Sequence, residues 1–328
     1  MIRLIAAGLA WTGRHGTAAL AVSIFIGVAL PALSETLRPF LTVAVFSLLT
    51  LAFLRVDKHA IRLRLRSPAL LIAALVWMML GAPLLALAAI KAAGIAAFGP
   101  DVVLAIFIAT AAPPVMAAPA FIYLLGLDGT LSLALSVAAL LVTPLTAPFI
   151  GELMLGPALP LSVGGLAVQL AVLLVGAFAL ALVFRKLAGA ERLARSSHHI
   201  SGLNVLLLLV FAIAAMDGVA ASFAARPLFT LALTALTFCL ALVQIGLTLL
   251  LFSPASREDA YAIAHTCGTR NMGLMVAAFG GTLPEFTWLW FALGQFPIYM
   301  LPLALKPFVR LFCRLNEKGS ERKSGLNA

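Results

Sequence analysis

Charge is the scarcest ingredient of this chain. Asp, Glu, Lys and Arg make up 10% of its 328 residues, and only 12 residues are acidic. That excludes a water-soluble domain, whose surface needs far more charge to stay in solution. Cysteine is rare too. Cys239, Cys267 and Cys313 form no CxxC pair and no ligand cluster, so a zinc ribbon or disulfide framework is excluded and buried small hydrophobes remain. Catalytic signatures are missing: there is no HExxH, no GxSxG, no Asp-rich diphosphate motif and no paired carboxylates inside an apolar run. Acid–base or metal chemistry within a bilayer has little to work with, and no enzyme is expected.

What is present is apolar. Hydrophobic residues make up 63% of the chain, and the mean hydropathy is +1.12. The runs between charge clusters are long enough to cross a hydrocarbon core of ~30 Å, which takes ~20 helical residues. They are continuous rather than alternating, so each satisfies its own backbone as a helix and not as a barrel strand. The sequence predicts an all-α polytopic membrane protein with ten spans: 17–33, 38–54, 68–90, 102–125, 129–153, 160–184, 200–217, 227–252, 258–280 and 285–311. The net charge of +10 is not read as nucleic-acid binding, because Lys and Arg sit in short loops.

Eighteen of the 22 Lys and Arg residues fall on one side of this map. They are Arg3 and Arg14, the cluster Arg55, Lys58, Arg62, Arg64 and Arg66, the cluster Arg185, Lys186, Arg192 and Arg195, then Arg257, and Lys306, Arg310, Arg314, Lys318, Arg322 and Lys323 in the tail. Only Arg38, Lys91 and Arg226 fall on the other. The positive-inside rule then places both termini in the cytoplasm, and the short loops fit a bacterial inner membrane. The N-terminus is expected to carry no cleavable signal. A single membrane domain fills 1–328, with a hydrophilic linker at 185–199 joining five spans to five. An odd number of spans per half inverts the halves relative to each other, with repeats at about 17–153 and 160–311.

Two spans carry chemistry. The fourth contains Pro113, Pro114 and Pro119 within Ala111–Pro119. Three prolines remove three backbone donors, so the span is either kinked and packed by neighbours or broken around a cavity. The ninth contains His265, Thr266, Thr269, Arg270 and Asn271 between apolar stretches. A midplane Arg costs at least ~2.5 kcal/mol to insert and needs a partner. Two compatible readings are carbonyls of the broken fourth span and a substrate anion. Ser132 and Ser136 share one helical face. Asn204, Gln169, Gln244, Gln295, Thr143 and Thr146 read as interhelical glue. Asp217 and Glu152, at outer ends, are expected to be solvated, and Asp128 to cap a helix.

At these segments the chain resembles the bile acid:sodium symporter family. The resemblance rests on the run from Ala112-Pro113-Pro114 to Gly126-Leu127-Asp128-Gly129-Thr130-Leu131-Ser132-Leu133, on Thr143-Pro144-Leu145-Thr146-Ala147-Pro148, and on Gly268-Thr269-Arg270-Asn271-Met272-Gly273-Leu274. The last is similar to the family's Glu-Val-Gly-Met-Gln-Asn-Ser-Gly-Leu. The resemblance implies two inverted five-span repeats, a panel of spans 1, 2, 6 and 7, and a core of spans 3–5 and 8–10. Spans 4 and 9 cross at the midplane, and a small organic anion binds between panel and core. It also implies sodium sites, and these depart from the pattern. The family's Ser-Asn pair reads Ala118-Pro119, its Glu reads Thr266, and its two Gln positions read Arg270 and Met78, while the hydroxyl positions Ser132 and Ser136 are kept. Like charges ~4 Å apart repel by roughly 4 kcal/mol at an effective dielectric of ~20, so sodium beside Arg270 is disfavoured and strict two-sodium coupling is not expected. No other cofactor is expected. Arg270 in the ion's place, proton coupling through His265, uniport and exchange stay open. So does a sensor or scaffold that kept the fold and lost transport. Metalloid efflux ranks low, because the fourth-span break has no Cys.

Overall fold

The computed structural model describes residues 16–56, 61, 62, 64, 68–280, 283–309 and 311. Among these the chain is helical, with no strand. Helix α1 is Gly16–Ala29 and α2 is Pro31–Leu37; a 3-10 turn at Arg38–Phe40 carries α2 into α3, Leu41–Arg55. Helix α4, Pro68–Val76, passes through a π turn at Trp77–Gly81 into α5, Ala82–Ala92. Then come α6, Pro100–Ala111, α7, Ala118–Leu124, and the long α8, Thr130–Leu155. Helices α9, Val163–Ala188, α10, Ala190–Arg195, α11, Ser197–Ala215, α12, Val219–Ala225, and α13, Pro227–Leu251, follow. The last four are α14, Arg257–Gly268, α15, Met272–Ala278, α16, Glu285–Leu293, and α17, Gln295–Ala304.

Helix starts follow from sequence. Pro31, Pro100 and Pro227 stand in first turns, where the missing N–H has no helical acceptor to lose. Ser162 and Ser256 cap α9 and α14 by accepting from Gly165 N and Asp259 N.

Six uninterrupted helical stretches among the described residues are long and apolar enough to cross a membrane. They are Pro31–Arg55, Pro68–Ala92, Thr130–Ala158, Val163–Ala188, His199–Ala225 and Pro227–Leu251. The ten expected runs do not each give an unbroken rod, because prolines and glycines divide several of them. The first two divide at Leu30, and not at 34–37, because Pro31 opens a new helix. The expected linker at 185–199 is helical: α9 runs to Ala188, stops at Gly189 with φ +77°, and α10 and α11 follow at once.

The polarity is inverted relative to a soluble protein. Leu228, Leu145, Leu187 and Phe98 are at least 76% exposed, while Ser132, Ser136, Thr266, His265 and Arg270 are buried. Such a surface would aggregate in water and suits lipid. The chain is a polytopic membrane protein. With lipid as apolar as Leu, helices associate through close packing and polar contacts. Helix α11 packs on α1, α2 and α3, and α9 packs on α3 and α8. Helix α8 also packs on α6, α7 and α14, and α13 packs on α14 and α16. Helices α3 and α9 meet α15. Gly273 of α15 also lets α11 come close: a Cβ there would lie 2.7 Å from the Phe211 ring, which would have to shift.

Candidate functional site

The two interrupted helices meet at their interruptions. Helix α6 ends at Ala111, Ala112 turns extended (φ −62°, ψ +149°), and α7 starts at Ala118 with Pro119 in its first turn. Pro113 and Pro114 cannot donate to the α6 ladder, so the backbone leaves the helix there. Helix α14 ends at Gly268, and α15 starts at Met272, capped by the Asn271 side chain, which accepts from Leu274 N at 3.2 Å.

The freed backbone groups satisfy one another. Pro114 and Arg270 form an isolated antiparallel bridge. Val115 N donates to Thr269 O at 2.9 Å, and Asn271 N donates to Pro113 O at 2.7 Å. Buried backbone groups must be paired, and here each break supplies what the other lacks.

Arg270 locks this crossing and is 2% exposed. Its Nε donates to Gln244 Oε1 on α13 at 3.1 Å. Its Nη1 donates to Met78 O at 3.1 Å and Ala112 O at 3.0 Å, and its Nη2 to Cys267 Sγ at 3.2 Å. Each carbonyl is free for a local reason. Met78 sits in the π turn, whose altered bonding releases a carbonyl, and Ala112 sits where prolines interrupt the ladder. The guanidinium also stands just beyond the C-terminal ends of α6 and α14, where helix dipoles favour positive charge. No carboxylate pairs with it among the described residues. The carbonyl contacts expected of Arg270 are present. Arg270 is also among the residues that line the neighbouring cavity.

The other residues singled out in the sequence fall around this lock. Thr269 bonds back to His265 O at 2.8 Å and holds the end of α14. Thr266 and Ser132 hydroxyls bond each other at 2.7 Å, tying α14 to α8. Ser136 lies one turn further along α8, and its buried hydroxyl has no hydrogen-bond partner among the described residues. His265 is buried between Tyr261, stacked at 5.9 Å, and Phe121, edge-on at 6.0 Å. Neither ring nitrogen has a hydrogen-bond partner among the described residues, and the ring does not line the cavity. The residues at the implied sodium positions do not suit that ion: Ser132 and Thr266 are bonded to each other, and a guanidinium takes the neighbouring carbonyls. No group of three or more His, Cys, Asp or Glu side chains among the described residues could hold a metal.

Beside the crossing lies a cavity of about 410 Å³. Val45, Leu48, Leu49 and Ala52 of α3 form one wall, with Asn204, Leu208 and Phe211 of α11. Val115–Ala117, Pro119, Asn271 and Gly273 form the floor, and Gln295 and Tyr299 of α17 complete it. Arg55 and Val56 line one end, and no Asp or Glu among the described residues lines it. Sequence reading named Asn204 and Gln295 only as glue and passed over Phe211 and Tyr299, which carry no pattern distinguishing them from packing residues.

The far end of α3 is clasped shut. Arg38 Nη1 donates to Asp217 Oδ2 at 2.8 Å, and its guanidinium lies 4.0 Å over the Trp288 ring. Trp288 Nε1 donates to Asp217 O at 2.9 Å. Asp217, expected to be solvated, is instead 16% exposed and paired, because α11 ends beside the turn that carries Arg38. Asp128, expected as a cap, bonds Thr130 N at 2.9 Å at the start of α8 and pairs with Arg64.

No family model matches the chain, and no curated protein sequence matches it.

Proposed function

We propose that the chain is a carrier, not an enzyme, that moves a small amphipathic organic anion across a membrane without sodium. The observation behind this reading is the cavity of about 410 Å³, with no Asp or Glu among the described residues lining it, that ends on the crossing of two interrupted helices. Ligand sites of roughly 300–1,000 Å³ take molecules of that class. Its lining is mostly apolar, with Arg55, Asn204, Arg270 and Asn271 as polar contacts for an anionic head, and no carboxylate among the described residues lines it.

In this reading the chain crosses an inner membrane ten times with both termini in the cytoplasm, supported by the one-sided Lys and Arg. Two of the spans are the pairs α6–α7 and α14–α15, each a pair of half-helices. The two halves are inverted repeats. Helices α1–α3, α9 and α11 are the panel, supported by the packing of α11 on α1 to α3 and of α9 on α3. The core holds the remaining long helices, supported by the packing of α8 on α6, α7 and α14. The cavity opens toward Arg55, inward, while the Arg38–Asp217–Trp288 clasp closes the outer side. Arg270 performs the structural work of a bound cation, holding carbonyls of α4's π turn and the α6 break together. A covalently fixed charge leaves no reason for sodium to bind or to drive the cycle.

The test is uptake of a panel of organic anions into proteoliposomes, with and without an inward sodium gradient. Expected is uptake that ignores sodium in the wild type and falls in Arg270→Gln. Sodium stimulation would overturn sodium independence. Absence of uptake for every anion would favour a sensor or scaffold.

A further inference from the structure

A second cavity lies on the flank of the molecule, away from the helix crossing. It is a crevice of about 320 Å³ between α3, α8 and α9. Phe53, Pro144 and Phe178 are among its walls, and Leu141 and Val175, 67% and 65% exposed, lie where it opens to the surroundings. Those surroundings are hydrocarbon in a membrane-embedded chain, so the crevice is accessible to acyl chains and not to water-soluble molecules at that depth.

Among the described residues its lining has one charged side chain, Arg185, at the end of α9. Arg185 Nη2 donates to Leu54 O at 2.8 Å, which fixes the guanidinium over the last turn of α3. That bond uses one of five N–H donors. Arg185 pairs with no carboxylate among the described residues. Arg55 and Lys186 are in the last turns of α3 and α9, at the same end. A long apolar slot therefore ends in a cationic rim.

We infer that this crevice holds one anionic phospholipid, with an acyl chain in the slot and the phosphate at Arg185. The charge decides the class of headgroup. A zwitterionic lipid brings an ammonium to a rim that offers it no carboxylate among the described residues, whereas an anionic headgroup meets Arg185, with Arg55 and Lys186 adding positive charge at the same end. The length and apolarity of the slot decide for a lipid over a free anion, which would leave the slot unfilled. Phosphate oxygens also suit the fork of an Arg whose orientation is already fixed. Val56 lines both this crevice and the cavity beside the crossing, so a seated lipid would abut the inner end of α3.

The experiment is native mass spectrometry of the full chain in detergent, with added phosphatidylglycerol, phosphatidylcholine or inorganic phosphate. A single phosphatidylglycerol should be retained in preference to phosphatidylcholine by about tenfold, since Arg185 meets the headgroup and two further cations lie at the same end. Arg185→Gln should abolish the preference. Ala171→Phe, which fills the slot, should lower retention of both lipids and keeps the test decisive if Arg185→Gln does not fold. Equal retention of the two lipids, undiminished phosphatidylglycerol in a folded variant, or displacement of the lipid by phosphate alone would each overturn the assignment.

Discussion

Replacing Arg270 by Gln tests the idea that a side chain serves as the cation of the crossing. Arg270 makes four hydrogen bonds, three of them to oxygen acceptors: Gln244 Oε1, Met78 O and Ala112 O. Gln is shorter and cannot span from the α14–α15 break to both α4 and α6. It therefore orphans at least two buried acceptors, each costing about 1–3 kcal/mol. Removing a charge from a low-dielectric site returns part of that loss. The balance is a destabilisation of about 3 kcal/mol. At ~2 °C per kcal/mol for a large chain, the Tm in detergent should fall by about 6 °C. Arg270→Lys keeps the charge but loses the fork, and should fall in between. The assay is a thermal melt in matched sodium and potassium buffers. An Arg270→Gln melt within a degree of wild type would refute the structural role. A sodium-specific rise in the wild-type Tm would refute the claim that the guanidinium displaces the ion.

Other outcomes follow from single contacts. Ser136→Ala removes a buried hydroxyl without a partner among the described residues and should raise stability by about 1 kcal/mol; a loss of stability would mean that the hydroxyl has a water or ligand partner. Trp288→Leu removes a cation–π contact and an N–H bond from the outer clasp, together about 1–2 kcal/mol. It should therefore raise outer-side labelling of a Gln295→Cys probe in a Cys239→Ser, Cys313→Ser background by about tenfold, 1.4 kcal/mol being a factor of 10. Unchanged labelling would remove the clasp from the mechanism. At the α8 start, partial burial raises the Asp128 carboxyl, but bonds from Thr130 and the Arg64 guanidinium outweigh it and hold it below its usual value. A depressed carboxylate stabilises above its unfolded pKa and loses that contribution as pH falls through the folded value. Wild type should thus lose more Tm than Asp128→Asn between pH 5 and pH 3, about the carboxylate range. Half exposure keeps the effect under about 1 kcal/mol, and parallel melts across that range would disprove it.

Features set by covalent structure and solvent were legible in the sequence. Long apolar runs dictate helices, because lipid offers no other partner for backbone N–H and C=O. Pro113, Pro114 and Pro119 dictate an interruption, because proline cannot donate. The four polar residues around Arg270 marked the ninth run as the second one with chemistry, but its interruption at 269–271 was not written in them. Boundaries were less legible where proline starts a helix as readily as it ends one: Pro31 divides the first two runs at Leu30. The helical 185–199 segment was hidden because its charged residues are good helix formers that carry no hydrophobic period.

The partners of Arg270 belong to the tertiary structure alone. Met78 O is 192 residues away in sequence and Ala112 O is 158. Every residue has a carbonyl, so no residue type announces one that is free. Only the π turn and the proline break, brought together by packing, make those two carbonyls available. The cavity is likewise assembled from α3, α11, α17 and the crossing, with Leu, Val and Phe side chains that read as ordinary packing until helices place them around a common space. The sequence by itself determined a membrane chain with a proline-interrupted helix and a cation at membrane depth; the second interruption, the groups that hold that cation and the space beside it were decided by long-range helix packing.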